Sequence, residues 1–273
     1  MLKEFSLEGK KAFITGGGRG LGRAIALVFA EAGADVAVIA RTLAQCEETT
    51  TLVKKLGRRA FPFQCDIADS RQVDDTVAKA TKALGQIDIL VNNAGQVTVG
   101  PLSPLPIQKP KDAIWDWGPD KRMSDETLNR IMGTNLSGTV YCARAVGEQM
   151  VKRRSGKVIN VCSSSSIIAY PFETAYAPSK AALQMFTKVL ALEWAQFNVQ
   201  INGINPGWFV TDMTRSGFDN PKTMQERINT VPLKRLTDSR DLGLLALYLA
   251  SPASDWMTGQ VLSLDGGESA SQF

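Results

Sequence analysis

Seven short runs rich in valine and isoleucine recur along the chain: AFIT at 12–15, DVAVIA at 35–40, AFPFQC at 60–65, IDILVN at 87–92, KVINVC at 157–162, VQINGI at 199–204 and QVLSLD at 260–265. Most are apolar on both faces, as strands of a sheet covered on two sides must be. Helical patterns fill the intervals at 21–32, 43–56, 71–84, 125–152, 177–196 and 241–250. Strict alternation of strand and helix predicts an α/β, doubly wound, seven-stranded parallel sheet with helices on both faces, forming a single domain over 1–273. No internal repeat or linker interrupts it. One segment breaks the rhythm: residues 96–122, QVTVGPLSPLPIQKPKDAIWDWGPDKR, carry five prolines and two tryptophans where strand should pass quickly to helix. Irregular segments of that length are usually functional or disordered.

The 273 residues are 44% hydrophobic and 21% charged, an ordinary globular balance that supports a sizeable core. The net charge of +4 comes from 31 basic and 27 acidic residues mixed along the chain, so nucleic-acid binding is disfavoured. The densest basic run, Lys152-Arg153-Arg154, sits at a helix end, where the macrodipole accounts for it. Cys46, Cys65, Cys142 and Cys162 are scattered, and with no histidine a zinc site would lack its usual ligands, so no metal is expected. MLKEFSLEGKK has charges where a signal peptide needs an apolar run, and LGLLALYLA at 242–250 is too short to span a bilayer. A cytoplasmic protein without a membrane partner is the expectation.

The first strand runs into TGGGRGLG at 15–22 and then into a helix closed by Gly33. Glycines at 16, 20 and 22 allow a tight turn, close approach of the backbone to a pyrophosphate, and packing of helix on strand. The helix N-terminus adds amide donors and partial positive charge. In sites that prefer NAD, an acidic residue follows the second strand and binds the ribose 2′-hydroxyl. Here the strand ends in Arg41-Thr42, and the nearby acid, Asp35, lies at its opposite end. Arg41, with Arg19 from the glycine turn, suits a 2′-phosphate, which favours NADP over NAD. Two solvated arginines on a mildly basic surface are the alternative.

TAYAPSKAA at 174–182 places Tyr176 and Lys180 one helical turn apart on one face, with Pro178 in the first turn, where amides have no helical partner. A phenol has a pKa of about 10, and an adjacent cation lowers an acid's pKa by roughly 1–3 units, into the range useful for proton transfer. This would be an acid/base device without imidazole. The alternative is a surface helix start with an incidental pair.

Taken with Asp66, Asn92-Asn93-Ala94-Gly95, Asn135 in MGTNLSG, Ser163 after VINVC, PGWFVT at 206–211 and LDGG at 264–267, the chain resembles the single-domain short-chain dehydrogenase/reductase family over nearly its whole length. The resemblance implies a Rossmann fold, a nicotinamide cofactor and hydride transfer at a carbonyl or secondary alcohol. It assigns Tyr176 as general acid in reduction and base in oxidation, and Lys180 as the group that lowers its pKa and binds the nicotinamide ribose. Ser163, with Ser164 the runner-up, bonds the substrate oxygen as charge develops. Asn135 holds a water that relays protons from Lys180, or else serves helix packing. The cofactor falls to Gly16, Gly18, Arg19, Gly20, Leu21 and Gly22, to Arg41, Asp66 and Ile67, to Asn93, Ala94 and Gly95, to Tyr176 and Lys180, and to Pro206, Gly207 and Thr211. Asp66 would meet the adenine, Asn93 and Gly95 the adenosine ribose and strand end, and Thr211 the carboxamide.

The expected substrate is a small ketone, sugar or polyol, set by residues 96–122, by 167–173 including Glu173, and by the stretch after Thr211 with Met213, Arg215, Phe218 and Met224. A 3-oxoacyl-carrier-protein reductase ranks second: Arg154 matches one of its two basic docking positions, but Phe197 occupies the other. A catalytically silent NADP-binding sensor on the same fold is the reading of another class. The family commonly pairs its long helices, so 125–152 and 177–196 predict a homotetramer. Segment 96–122 is expected to be a flap over the substrate or a subunit interface.

Overall fold

The computed structural model describes residues 2–109, 116–210 and 221–270. Seven strands form one parallel sheet: β1 (Lys11–Thr15), β2 (Asp35–Ala40), β3 (Ala60–Gln64), β4 (Ile89–Asn92), β5 (Gly156–Val161), β6 (Val199–Pro206) and β7 (Val261–Leu264). Their order is β3-β2-β1-β4-β5-β6-β7, the expected doubly wound, Rossmann-type arrangement. The direction of progression reverses between β1 and β4, which pair through Ala12–Ile89, Phe13–Leu90 and Ile14–Val91. A crevice therefore opens beyond the carboxyl ends of these two strands, where Thr15 leads into the glycine turn and Asn92 into Asn93-Ala94-Gly95.

Successive strand residues face opposite sides, and both sides are covered. Ala12, Ile14, Val36, Val38, Val91 and Ile159 join a core built with α1 (Gly20–Glu31), α2 (Leu43–Lys55) and α8 (Ser239–Ala250). Phe13, Ala37, Ile39, Leu90 and Val158 join a second core with α3 (Ser70–Leu84), α5 (Gly138–Arg153) and α6 (Tyr176–Trp194). This double burial explains strands that are apolar throughout. Asp69, Ser124 and Asp238 cap the N-termini of α3, α4 (Asp125–Met132) and α8 with side-chain acceptors.

Two elements depart from the sequence pattern. The single helix expected at 125–152 is divided into α4, a wide π turn over Gly133–Ser137, and α5. Apolar spacing cannot register one residue inserted into an otherwise continuous helix. Helix α7 (Pro221–Thr230) was not anticipated at all, although Pro221 at its first position is a helix-start signal. Its polar sequence, PKTMQERINT, lacks the apolar stripe that reveals other helices. Among the described residues no helix is long and apolar enough to cross a membrane.

Candidate active site

A continuous cleft follows the crevice. It is lined at one end by Gly16, Gly18, Arg19, Gly20 and Leu21, with Arg41, Thr42 and Gln45. Asp66, Ile67, Asn93, Ala94 and Gly95 form its middle. Tyr176, Lys180 and Pro206 close the other end. Thus one groove connects the glycine turn to the phenol and ammonium singled out in the sequence. Gly22 and Gly207 do not line it, and Thr211, Met213, Arg215 and Phe218 lie outside the described residues.

The glycine turn owes its shape to close approach. Gly16 has φ +63°, and a Cβ there would lie 2.9 Å from the Ala94 Cα. A Cβ on Gly22 would fall 2.3 Å from the Gly16 carbonyl oxygen, so Gly22 lets α1 pack against the turn instead of contacting a ligand. Asn93 serves the same turn: its Nδ2 donates to the carbonyls of Thr15 (3.0 Å) and Gly16 (3.2 Å). Its side-chain donor is thereby engaged within the protein. Thr15 Oγ1 accepts from the amides of Asn93 and Ala94, joining the ends of β1 and β4.

At the far end, Arg41 is exposed, and its carbonyl accepts from Gln64 Nε2 at 3.0 Å. Asp35 lies at the start of β2, where its carboxylate takes the backbone amide and Nε of Arg59. Asp66 is the one carboxylate among the described residues that line the cleft. A glycine turn feeding a helix N-terminus, two guanidiniums at one end and a phenol with an ammonium at the other suit an extended anionic dinucleotide.

Tyr176 begins α6, and Lys180 follows one turn later with Nζ 5.9 Å from the Tyr176 ring centroid. The Lys180 ammonium donates to the Val161 carbonyl at 2.8 Å, which anchors it to the end of β5. Beyond β5, three consecutive serines face three different partners. Ser163 lies beside Tyr176, Ser164 beside Tyr170 and Ser165 beside Glu173, each near enough to lower its neighbour's pKa.

Burial pushes the Tyr176 phenol up to about 12, and the nearby Glu173 charge adds to this, while the neighbouring Ser163 side chain works against it. The expected lowering by Lys180 is not found. The reason is that Lys180 is itself 4% exposed, and burial brings its pKa down to about 8. Burial is the largest influence on both groups.

Asn135, expected to hold a relay water or else to serve helix packing, has its side chain engaged within the protein. It is fully buried in the π turn; its Oδ1 accepts from the Gln96 amide at 2.8 Å, and its Nδ2 donates to the Gln96 carbonyl and the Ser179 hydroxyl, each at 2.9 Å. The side chain is thus a backbone clamp, and its own carbonyl accepts from Thr139. Gly95 lies between the two polar groups, since a Cβ there would be 3.3 Å from Lys180 Nζ and 3.4 Å from Asn135 Oδ1.

Residues the sequence reading missed include Gln45 and Thr134 on the cleft wall, and Arg227 and Glu268 beyond Tyr176, while Gln96, Tyr170 and Trp208 fall in segments it marked without being singled out. Glu268 Oε1 accepts from the Tyr170 hydroxyl (2.7 Å) and from Trp208 Nε1 (2.8 Å), and the Arg227 guanidinium lies 4.4 Å from the Trp208 ring centroid. The described parts of 96–122 fold back on the same region. Gly100 donates to the Phe172 carbonyl at 2.9 Å, and Trp117 Nε1 donates to Pro101 while its ring packs with Met123, Ile131 and Ala175.

Comparison with known proteins agrees with this geometry. The short chain dehydrogenase profile matches residues 10–222. A 2-dehydro-3-deoxy-D-gluconate 5-dehydrogenase of Pseudoalteromonas atlantica is 33% identical over 98% of both chains. A 3-oxoacyl-[acyl-carrier-protein] reductase of Chlamydia pneumoniae is 35% identical over 97% of this chain and 98% of its own. The crystal structure of a gluconate 5-dehydrogenase from Burkholderia cenocepacia, in complex with NADP and tartrate, superposes with a TM-score of 0.88 at 34% identity and covers 99% of each chain. With sequence and fold matched along almost its entire length, the chain belongs to the short-chain dehydrogenase/reductase family of oxidoreductases.

Proposed function

We propose that this protein is an NADP(H)-dependent enzyme that interconverts a carbonyl and a secondary alcohol on a small ketone, sugar or polyol. The observation that carries the reading is the placement of Tyr176 beside Ser163 and one helical turn from Lys180, at the end of a cleft that starts at the glycine turn. The nicotinamide, when bound, supplies or accepts the hydride. Tyr176 moves the proton at the reacting oxygen. A phenol protonated at neutral pH suits donation in the reductive direction. Ser163 fixes the phenol and steadies the developing oxyanion. Lys180 adds positive charge and, with Asn135 and Gly95 beside it, stands at the start of a proton path. Arg41 and Arg19 bind the 2′-phosphate. NAD is the poorer cofactor in this reading, and the relative crystallised with NADP supports it.

A reductase acting on carrier-bound 3-oxoacyl groups is the second reading, favoured by the Chlamydia relative. The structure offers it little at the docking surface: Arg154 donates to the Gln196 carbonyl and lies 5.8 Å from the Phe197 ring, which occupies the second basic position. A silent cofactor sensor would have no use for the Ser163–Tyr176–Lys180 arrangement. A homotetramer built on the long helices is part of the proposal. Met185, Val189 and Leu192 form an exposed apolar stripe on α6, and their exposures of 59, 46 and 81% leave it available for pairing. Segment 96–122 is proposed as a flap, because Trp117 packs within its own chain beside Ala175. Trp115 lies outside the described residues.

The test is a panel of ketones, sugars and polyols followed at the NADPH absorbance, with NADH in parallel. Turnover with NADPH preferred is the expected result. Tight cofactor binding with no turnover of any compound would replace the enzyme by the sensor.

A further inference from the structure

Glu173 falls in a segment expected to set the substrate, and its surroundings are unusual for a carboxylate. It lies three residues before Tyr176, and its carbonyl accepts from the Ala177 amide at 3.0 Å, which fixes it to the first turn of α6. The preceding residue, Phe172, adopts φ +72°, a left-handed conformation that costs a bulky side chain of order 1–3 kcal/mol and persists only where surrounding structure enforces it. Here the enforcing contact includes the Gly100 amide, which donates to the Phe172 carbonyl and so ties the 96–122 segment to this turn.

The Ser165 side chain lies beside the carboxylate. Ser165 in turn donates its amide to Ser163 Oγ at 3.1 Å. A chain of contacts therefore runs from Glu173 through Ser165 and Ser163 to the phenol of Tyr176. Glu173 Oε2 is buried and has no hydrogen-bond partner. Leaving a buried acceptor unsatisfied costs about 1–3 kcal/mol, and more for a charged group. Burial raises the carboxyl pKa, the Arg227 guanidinium opposes that rise, and the Glu268 carboxylate adds to it. A group held there at such cost, one helical turn from the acid/base residue, is what a site prepared for a substrate donor looks like.

We infer that Glu173 is a specificity-determining residue that binds a hydroxyl group of the substrate, so that the enzyme acts on hydroxylated ketones and polyols in preference to plain alkyl ketones. A hydroxyl both donates and accepts, and so it satisfies Oε2 whether the carboxyl is ionised or protonated. An alkyl ketone offers that oxygen nothing. The inference rests on the carbonyl–alcohol chemistry proposed above and narrows its substrate class.

The test uses a matched pair, 3-hydroxy-2-butanone and 2-butanone, reduced with NADPH by the wild type and by Glu173→Gln and Glu173→Leu. The intrinsic difference in reactivity between the two ketones cancels when their kcat/KM ratio is compared across proteins. Leucine should lower the ratio by about ten- to a hundredfold, and glutamine, which retains one acceptor, by less. NADPH affinity and melting temperature identify any variant that fails to fold, and the isosteric glutamine variant carries the test if leucine does. A rate loss shared equally by both ketones would make Glu173 a structural residue and overturn the inference. Absence of turnover of either ketone by the wild type, with NADPH bound, would instead overturn the reductase reading on which the inference rests.

Discussion

The side-chain amide of Asn135 grips both backbone groups of Gln96, accepting from its N–H at 2.8 Å and donating to its C=O at 2.9 Å. This pair joins the π turn to the first residue of the 96–122 segment, at the point where Gly95 separates Asn135 from Lys180. It secures the floor of the site by satisfying backbone groups that would otherwise be buried unpaired.

Asn135→Asp keeps the acceptor for the Gln96 amide but cannot donate to the Gln96 carbonyl or to Ser179. We expect a loss of about 1–3 kcal/mol in denaturant unfolding, with turnover falling further than NADPH affinity. A variant matching the wild type in both stability and kcat would show that the clamp is dispensable.

Tyr176→Phe removes only the phenolic hydroxyl. Turnover should fall by on the order of 10²–10⁴, the usual scale of one acid/base step, while NADPH still binds. Stopped-flow reduction within tenfold of wild type would remove Tyr176 from the chemistry.

Lys180 should make stability depend on pH in a definite direction. The unfolded chain keeps this proton up to about the ordinary 10.5, whereas burial makes the folded chain release it near 8. Between those values the unfolded state binds more protons, so stability rises with pH across the window. Tyr176, raised from 10.0 to about 12, acts the opposite way above pH 10. Urea unfolding at pH 8, 9 and 10 should show the wild type gaining stability relative to Lys180→Met. A pH-independent difference between the two would refute the shifted lysine.

Arg41→Asp should reverse the cofactor preference. A charge-assisted bond to phosphate contributes roughly 1.5–3 kcal/mol, or about ten- to a hundredfold in affinity. Titration with NADPH and NADH decides the point, and equal use of both by the unmodified protein would leave the arginines as solvated surface.

Replacing residues 101–120 with a short glycine-serine turn separates flap from interface. Under the proposed flap, light scattering finds the oligomer and NADPH binding intact, while substrate affinity or selectivity falls. A dissociated oligomer with unchanged kinetics would make the segment an interface. A wild type that is monomeric at micromolar concentration would contradict the tetramer itself.

What the sequence settles by itself follows from local spacing. Doubly apolar strand runs require a sheet covered on two faces, TGGGRGLG between strand and helix marks the phosphate end, and Tyr176 with Lys180 must share a helix face at four-residue spacing. These features depend on near neighbours, whose geometry the chain imposes directly. The tertiary structure decided what depends on distant segments. Four adjacent serines look alike in sequence, and the packing of 170–176 against the end of β5 sends Ser163, Ser164 and Ser165 to Tyr176, Tyr170 and Glu173. Glu268 meets Tyr170 across 98 residues of chain, and no local pattern announces it. The phenol pKa moved opposite to the sequence-based expectation for the same reason: charge proximity can be read from spacing, but desolvation belongs to the whole fold, and here it is the larger effect.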